Sequence, residues 1–229
     1  MFGEANPGIS VLVSGMGSSA GIENVSSGSS DIGTSSRELK EAELELGLTD
    51  TPVAWDAIAV IVHPDNPVRE LTTIEVRSIF AGVITNWSEV GGPDLPIGLV
   101  NRDEASGTRE AFSKIVMDDA RFDRGAVVLP GTGQVRAVVS EVKGAIGYIS
   151  LGFVTDEVRA VSIDGVAPSE AAVVAGDYPV QRVLHFFTRG EVTQATSDYI
   201  AYVLSPAVQD EVVRDAGFIP ITAKEGSGG

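Results

Sequence analysis

Apolar and polar positions alternate through Ile9, Val11 and Val13, directly after the turn-forming Asn6-Pro7-Gly8, which predicts a short strand near residue 10. A run of small residues follows, Gly15-Met16-Gly17-Ser18-Ser19-Ala20-Gly21-Ile22, suited to opening a helix with its hydroxyls and backbone N–H groups uncovered. Residues 29–39 read as a short strand, a hydroxyl-rich loop and a helix start. Residues 54–62 are almost continuously apolar, the pattern of a strand buried on both faces, and the run ends at Pro64-Asp65-Asn66-Pro67. Apolar residues at helical spacing over 71–82, with Thr72 as a cap and Gly82 as a stop, predict a helix. A strand over 95–100 then leads to Asn101-Arg102, and Ala111, Phe112, Ile115 and Val116 form the stripe of a helix whose first turn holds Ser106-Gly107-Thr108. A helix over 133–142, strands over 145–150 and 178–188, and a terminal helix over 197–216 ending at Gly217 complete the pattern. Strands and helices alternate, so the expected class is α/β with mostly parallel sheets.

Composition narrows the possibilities. With 229 residues, 43% of them hydrophobic and 21% charged, the chain can bury one large core or two smaller ones. No run reaches the ~18 apolar residues of a membrane span, and the first eight residues lack a basic region followed by an apolar stretch. The absence of cysteine removes disulfides, thiolate catalysis and thiolate metal sites. A formal net charge of −16 argues against a nucleic-acid partner, which requires clustered Lys and Arg. It does not exclude a small anion, because charges beyond a Debye length of about 8 Å are screened and local donors decide. The tail Glu225-Gly226-Ser227-Gly228-Gly229 has the composition of a flexible linker.

The candidate chemistry gathers in three loops. Ser106-Gly107-Thr108 at a helix start offers two hydroxyls and free N–H groups to an oxyanion, although an ordinary serine cap has the same sequence. Arg102 just upstream adds a guanidinium able to bind an oxyanion with two donors, and Glu104 either holds that guanidinium or is a solvated loop carboxylate. Gly17-Ser18-Ser19 and Thr34-Ser35-Ser36 supply further hydroxyls after strands, where ligands collect in open α/β sheets. His63 precedes a proline and His185 lies in an apolar run, so both read as structural, and no His-Glu-x-x-His or clustered aspartate suggests a metal. Trp55, Trp87, Phe80, Phe112, Phe186 and Phe187 read as packing residues.

These pieces resemble a family: the phosphate-binding substrate-binding proteins of bacterial phosphate ABC transporters. The resemblance covers nearly the whole chain and rests on Ser14 to Gly21, Asp31-Ile32-Gly33-Thr34-Ser35-Ser36-Arg37, Ile79-Phe80-Ala81-Gly82-Val83-Ile84-Thr85-Asn86-Trp87, Arg102 to Thr108, Gly144-Ala145-Ile146-Gly147-Tyr148 and Tyr178-Pro179-Val180-Gln181-Arg182. It implies a two-lobed type II periplasmic binding-protein fold that closes on inorganic phosphate, with mostly parallel sheets flanked by helices and two crossover segments, 57–62 and 179–187, as the hinge. The implied lobes are 1–61 with a return over 183–224, and 62–182. By motif position Ser18 and Ser36 would contact phosphate from the first lobe, and Arg102, Ser106, Gly107 and Thr108 from the second. Ser19 and Ser35 would support the site, and Glu104 would orient the arginine. The implied setting is periplasmic or extracellular and lipid-anchored, with a membrane permease as partner and no cofactor or metal. Two departures stand out. Some members carry an aspartate where this chain has Ser36, so this position alone does not reject sulfate. The family also begins with a strand and a ligand loop with no counterpart before Phe2, from which we expect a second chain or fragment to supply that strand.

Two other readings compete. A hydrolase acting on phosphate esters would need a nucleophile paired with a base. A secreted interaction or adhesin module on the same fold would bind no oxyanion at all.

Overall fold

The structure is a computed structural model; it describes residues 2–118 and 120–227, with side chains through Lys224. In chain order the elements are α1 (Phe2–Ala5), α2 (Ser18–Ser27), β1 (Gly33–Ser35), β2 (Leu48–Val62), β3 (Glu70–Leu71), α3 (Thr73–Phe80), β4 (Gly98–Arg102) and α4 (Gly107–Phe112). They continue with β5 (Val127–Leu129), α5 (Thr132–Glu141), β6 (Ala145–Ser150), β7 (Arg159–Ala160), β8 (Ser162–Ile163), α6 (Glu170–Ala175), β9 (Gln181–Arg189), α7 (Gln194–Val203) and β10 (Ile219–Pro220).

The apolar run near residue 60 organises the molecule. β2 spans 15 residues, and its first part pairs antiparallel with β9, from Leu48↔Arg189 to Ala57↔Gln181, with a register shift between Pro52 and Ala54. Its last five residues pair antiparallel with β6 instead. The main path of the sheet is therefore β1-β9-β2-β6-β4-β5, with β7 and β10 also on β2. Ile58, Val60 and Val62 point into the larger core with Phe80, Trp87, Phe112 and Tyr148, while Ala59 and Ile61 point to the opposite face with Val100, Val135 and Val139. Burial on both faces is the reason this segment shows no alternation. Each such aliphatic side chain contributes roughly 1.5–3 kcal/mol by leaving water. A separate small core, Ile22, Val25 and Phe187, lies under α2 on β1 and β9. The two cores on either face of the β2–β6 sheet and the small core under α2 are joined by the long strands β2 and β9, which is the arrangement expected of two packed halves sharing crossing strands.

Thr72 caps α3 as its position predicts, with Glu75 completing the box, and Gly217 at φ +78 ends the terminal helical segment. Three expectations need correction. Parallel pairing is the minority: five of the eight described strand pairings are antiparallel, because β2 and β9 run counter to each other and to their neighbours. The terminal helix is broken after α7, because Pro206 has no N–H to continue the ladder and opens a second helical stretch containing the π-helix Val208–Val213. The strand expected over 9–14 does not form: the segment belongs to no helix or sheet, with Leu12 93% and Val13 87% exposed. Its alternation has no adjacent strand to satisfy it, and β1 pairs with β9 alone. Of the Gly/Ser tail, Gly228 and Gly229 lie outside the described residues, and the backbone of 225–227 continues a 3-10 helix from Ile221.

Candidate functional site

One half of the site is built at the end of β4. Asn101 turns its side-chain oxygen back to accept from the Arg102 backbone N–H at 2.8 Å and from the Tyr148 hydroxyl. The Tyr148 ring stacks on Phe112 with centroids 4.1 Å apart and planes 4° from parallel, so the strand end is fixed by the core beneath it. Burial pushes the Tyr148 phenol well above its ordinary range, which keeps it a neutral donor. Arg102 is only 9% exposed. Its Nη1 donates to Thr132 Oγ1 at 3.0 Å and its Nη2 to the Pro130 carbonyl at 2.8 Å, while its Nε is buried with no partner. Among the described residues no carboxylate forms an ion pair with it. Burial pulls its pKa down from the ordinary arginine value, Asp103 opposes that pull, and the like charge of Arg182 adds to it. Starting so high, the guanidinium remains charged at neutral pH. A buried cation in this condition is an incomplete ion pair.

Four residues later Ser106 caps α4, its Oγ accepting from Arg109 N–H at 3.2 Å, so the serine-cap reading holds geometrically. Gly107 and Thr108 form the buried first turn of α4, which runs directly into the π-helix Ser113–Met117.

The opposite half comes from α2 and β1. Ser18, buried at the first position of α2, accepts from the Ser36 backbone N–H at 3.0 Å. A Cβ on Gly21 would lie 2.4 Å from the Thr34 carbonyl, so only glycine lets α2 rest this closely on β1. The two halves touch. A Cβ on Gly107 would stand 2.0 Å from Ser18 Oγ and 3.2 Å from Ser36 Cβ, and one on Gly17 would stand 2.7 Å from the Ala105 carbonyl.

Ser18, Ser36, Gly107 and their neighbours Ser106 and Thr108 are thus gathered where the halves meet, and Arg102 ends the strand that leads to Ser106. The supporting positions behave differently. Ser35 Oγ donates to the Arg37 carbonyl and accepts from its N–H, so it serves the backbone turn. Ser19 is half-buried. Glu104 does not orient Arg102: its side chain is 93% exposed and its carboxylate lies 3.9 Å from Arg109. Thr132 and the Pro130 carbonyl orient Arg102 instead, from a loop about thirty positions away that carries no local sequence cue. His185 on β9 has its Nδ1 2.8 Å from an Asp50 carboxylate oxygen, and His63, just past the end of β2, accepts at Nδ1 from the Asp65 N–H.

Two residues central to this geometry escaped the motif reading. Asp56 on β2 is fully buried and accepts from Arg182 Nε at 3.0 Å, from Arg182 Nη2 at 2.7 Å and from Ser150 Oγ at 2.7 Å. Arg182 Nη1 in turn donates to the Ser36 carbonyl at 3.2 Å, tying the Ser36 loop to the paired strands. The cue was present for Asp56, a lone charge within the apolar stretch 53–62, and a charge buried there calls for a partner. Arg109 also went unremarked; its Nε is buried without a partner and its guanidinium lies 5.1 Å from the Phe122 ring centroid.

Comparison with known proteins decides the family. The PBP superfamily domain matches residues 1–207. The phosphate-binding protein PstS of Bacillus subtilis (strain 168) is 38% identical over 224 residues, which cover 96% of this chain and 74% of the relative. This chain belongs to the PBP superfamily, in the PstS family. The solved structure of a putative phosphate ABC transporter substrate-binding protein with bound phosphate from Clostridium perfringens has a TM-score of 0.92 and 38% identity, covering 96% of this chain and 91% of that one. An ABC-type phosphate transport receptor from Vibrio cholerae has a TM-score of 0.82 and 29% identity, covering 95% of this chain and 91% of that one. The likeness covers nearly the whole chain, so the α/β architecture described above is that of the PstS fold.

Proposed function

We propose that this chain binds inorganic phosphate where its two lobes meet and serves as the solute receptor of a phosphate ABC importer. The observation that carries the reading is Arg102: a buried guanidinium with a free Nε and no carboxylate partner among the described residues, four positions before the Ser106-Gly107-Thr108 turn that meets Ser18 and Ser36. An oxyanion completes that pair, and the hydroxyls of Ser18, Ser36, Ser106 and Thr108 with the N–H groups of the first turn of α4 supply its remaining hydrogen bonds. The PstS relatives, named for phosphate, agree with this chemistry. On this reading the chain binds and releases its ligand unchanged.

Isothermal titration with phosphate, sulfate and a phosphate ester tests this against the hydrolase and adhesin readings. We expect heat with phosphate and no turnover of the ester. Truncating Arg102 to Ala removes a desolvated charge pair worth about 3 kcal/mol or more, so phosphate affinity falls at least about a hundredfold. An unchanged affinity removes Arg102 from the site and the reading with it.

The family resemblance supports extending this reading to a location outside the cytoplasmic membrane, and we propose with it a lipid anchor in the full-length protein and a permease that receives the loaded receptor. The strand expected from a second chain or fragment belongs here too. The one-sided pairing of β1 and the exposed Leu12 and Val13 support it, since an added strand satisfies the edge and covers the apolar pair.

A further inference from the structure

Away from the site, the segment after β1 faces α4 and its π-helical continuation across a cavity of about 560 Å3, floored by Gln181, Arg182 and Val183 of β9. Charges are matched across it. Glu110 Oε2 lies 2.8 Å from Arg37 Nε and 3.1 Å from Lys40 Nζ, and Lys114 Nζ donates to Glu38 at 2.7 Å. The Arg37–Glu110 approach is a charge contact rather than an aligned hydrogen bond, since the Nε–H has no acceptor along its axis. Arg37 is buried and already held within its own lobe, with Nη1 and Nη2 donating to Glu43 at 2.6 and 2.9 Å. Its position is therefore set before the other lobe arrives. The arriving helix presents an anion and a cation four positions apart, and the waiting segment presents two cations and an anion, so only one register satisfies all of them.

We infer that Arg37, Glu38 and Lys40 with Glu110 and Lys114 form an electrostatic clasp that sets the balance between the open and closed forms before any ligand arrives. None of the five belongs to the proposed anion site, so they are positioning residues whose effect on affinity passes through closure. Opening the lobes returns the partly buried Glu110 to water and leaves Arg37 with Glu43, while the already exposed Lys114 and Glu38 only part from each other. The depressed pKa of Glu38, caused first by its hydrogen bond from Lys114, accords with an ionised pair at neutral pH. Affinity for a ligand taken by the closed form scales with the closed fraction, so weakening the clasp lowers apparent affinity without altering the contacts to the anion.

The consequence for affinity rests on the phosphate-receptor reading; the consequence for shape does not. Small-angle scattering of the ligand-free protein at low and high salt measures the shape, and phosphate titration with stopped-flow dissociation measures the affinity. We expect Glu110→Gln to enlarge the ligand-free radius at low salt, to abolish much of its salt dependence, and to weaken phosphate binding about five- to tenfold through faster release. Lys114→Glu places like charges together and should act in the same direction; adding Glu38→Lys restores opposite signs and should recover both readouts. Urea midpoints of all variants separate closure from loss of fold. An unchanged radius in Glu110→Gln, or a charge swap no better than Lys114→Glu alone, overturns the clasp. A parent that takes up no phosphate overturns the receptor reading instead, and the scattering results then uphold or overturn the clasp by themselves.

Discussion

Adding one methyl group at Gly107 should separate ligand binding from folding. The position is the first residue of α4, where the backbone conformation suits any residue and alanine is the better helix former, by up to about 1 kcal/mol. Within the lobe, Gly107→Ala should therefore be neutral or mildly stabilising. Across the cleft it is obstructive. The new Cβ would stand 2.0 Å from Ser18 Oγ and 2.8 Å from Ser18 Cβ. An ordinary C···O contact is about 3.3 Å, so the loops must part by roughly 1.3 Å. Rotating the hydroxyl away does not suffice, because the serine Cβ also clashes and the rotation gives up the bond from Ser36 N–H. Overpacking of this kind costs about 1–3 kcal/mol, here charged to the closed form alone. That converts to a loss of phosphate affinity of roughly five- to 150-fold. Calorimetry and thermal unfolding of the ligand-free variant read the two effects separately, and they should move in opposite directions. A variant that binds phosphate as tightly as the parent refutes the idea that contact between Gly107 and Ser18 belongs to the binding-competent form.

Replacing Asp56 by Asn leaves the Arg182 guanidinium buried without its counter-charge, which costs about 3–5 kcal/mol and should lower the melting temperature by roughly 10 °C. The double variant Asp56→Asn/Arg182→Met should recover part of that loss, and a single variant within 1 °C of the parent, measured by calorimetric melting, would show that the pair is solvated. Backbone amide exchange tests the added-strand reading: the N–H groups of residues 11–13 should exchange within the dead time in the isolated chain, and protection there comparable to that of β9 sinks it.

The sequence pattern carried most of the second lobe. Buried strands and capped helices announce themselves locally: the apolar run of β2, the Thr72 cap and the stripe through Phe112 and Val116 each combine a hydrophobic period with a terminal signal. What failed depended on neighbours. The alternation at Val11 suits a strand, but strand formation needs a partner whose presence no local pattern records. Parallel or antiparallel pairing of β2 with β6 and β9 is likewise set by chain path rather than by composition. In the candidate site, the serine and glycine positions that the fold brings together stood out in the sequence because small hydroxylated residues at helix starts occur there beside an arginine. The orientation of Arg102 was not, since its partners at Pro130 and Thr132 are distant in sequence and generic in type. Glu104 was the tempting local choice, and solvent claims it.

A chain with formal net charge −16 can hold an anion because the relevant arithmetic is confined to a few ångströms. Asp56 cancels Arg182, which leaves Arg102 as a buried cation with no ion-pair partner among the described residues. One positive charge does not neutralise a dianion. The balance has to come from neutral donors, namely the serine and threonine hydroxyls and the N–H groups opening α4, whose dipoles are fixed before the ligand arrives. Neutral donors have short reach, so they must close around the ligand from several sides. In the proposed site Ser18 and Ser36 come from one half and residues 106–108 from the other, so on that reading neither half presents enough of them alone. Anion affinity and lobe closure are then the same free energy, and a residue that touches only the closing surface controls binding as surely as one that touches the ligand.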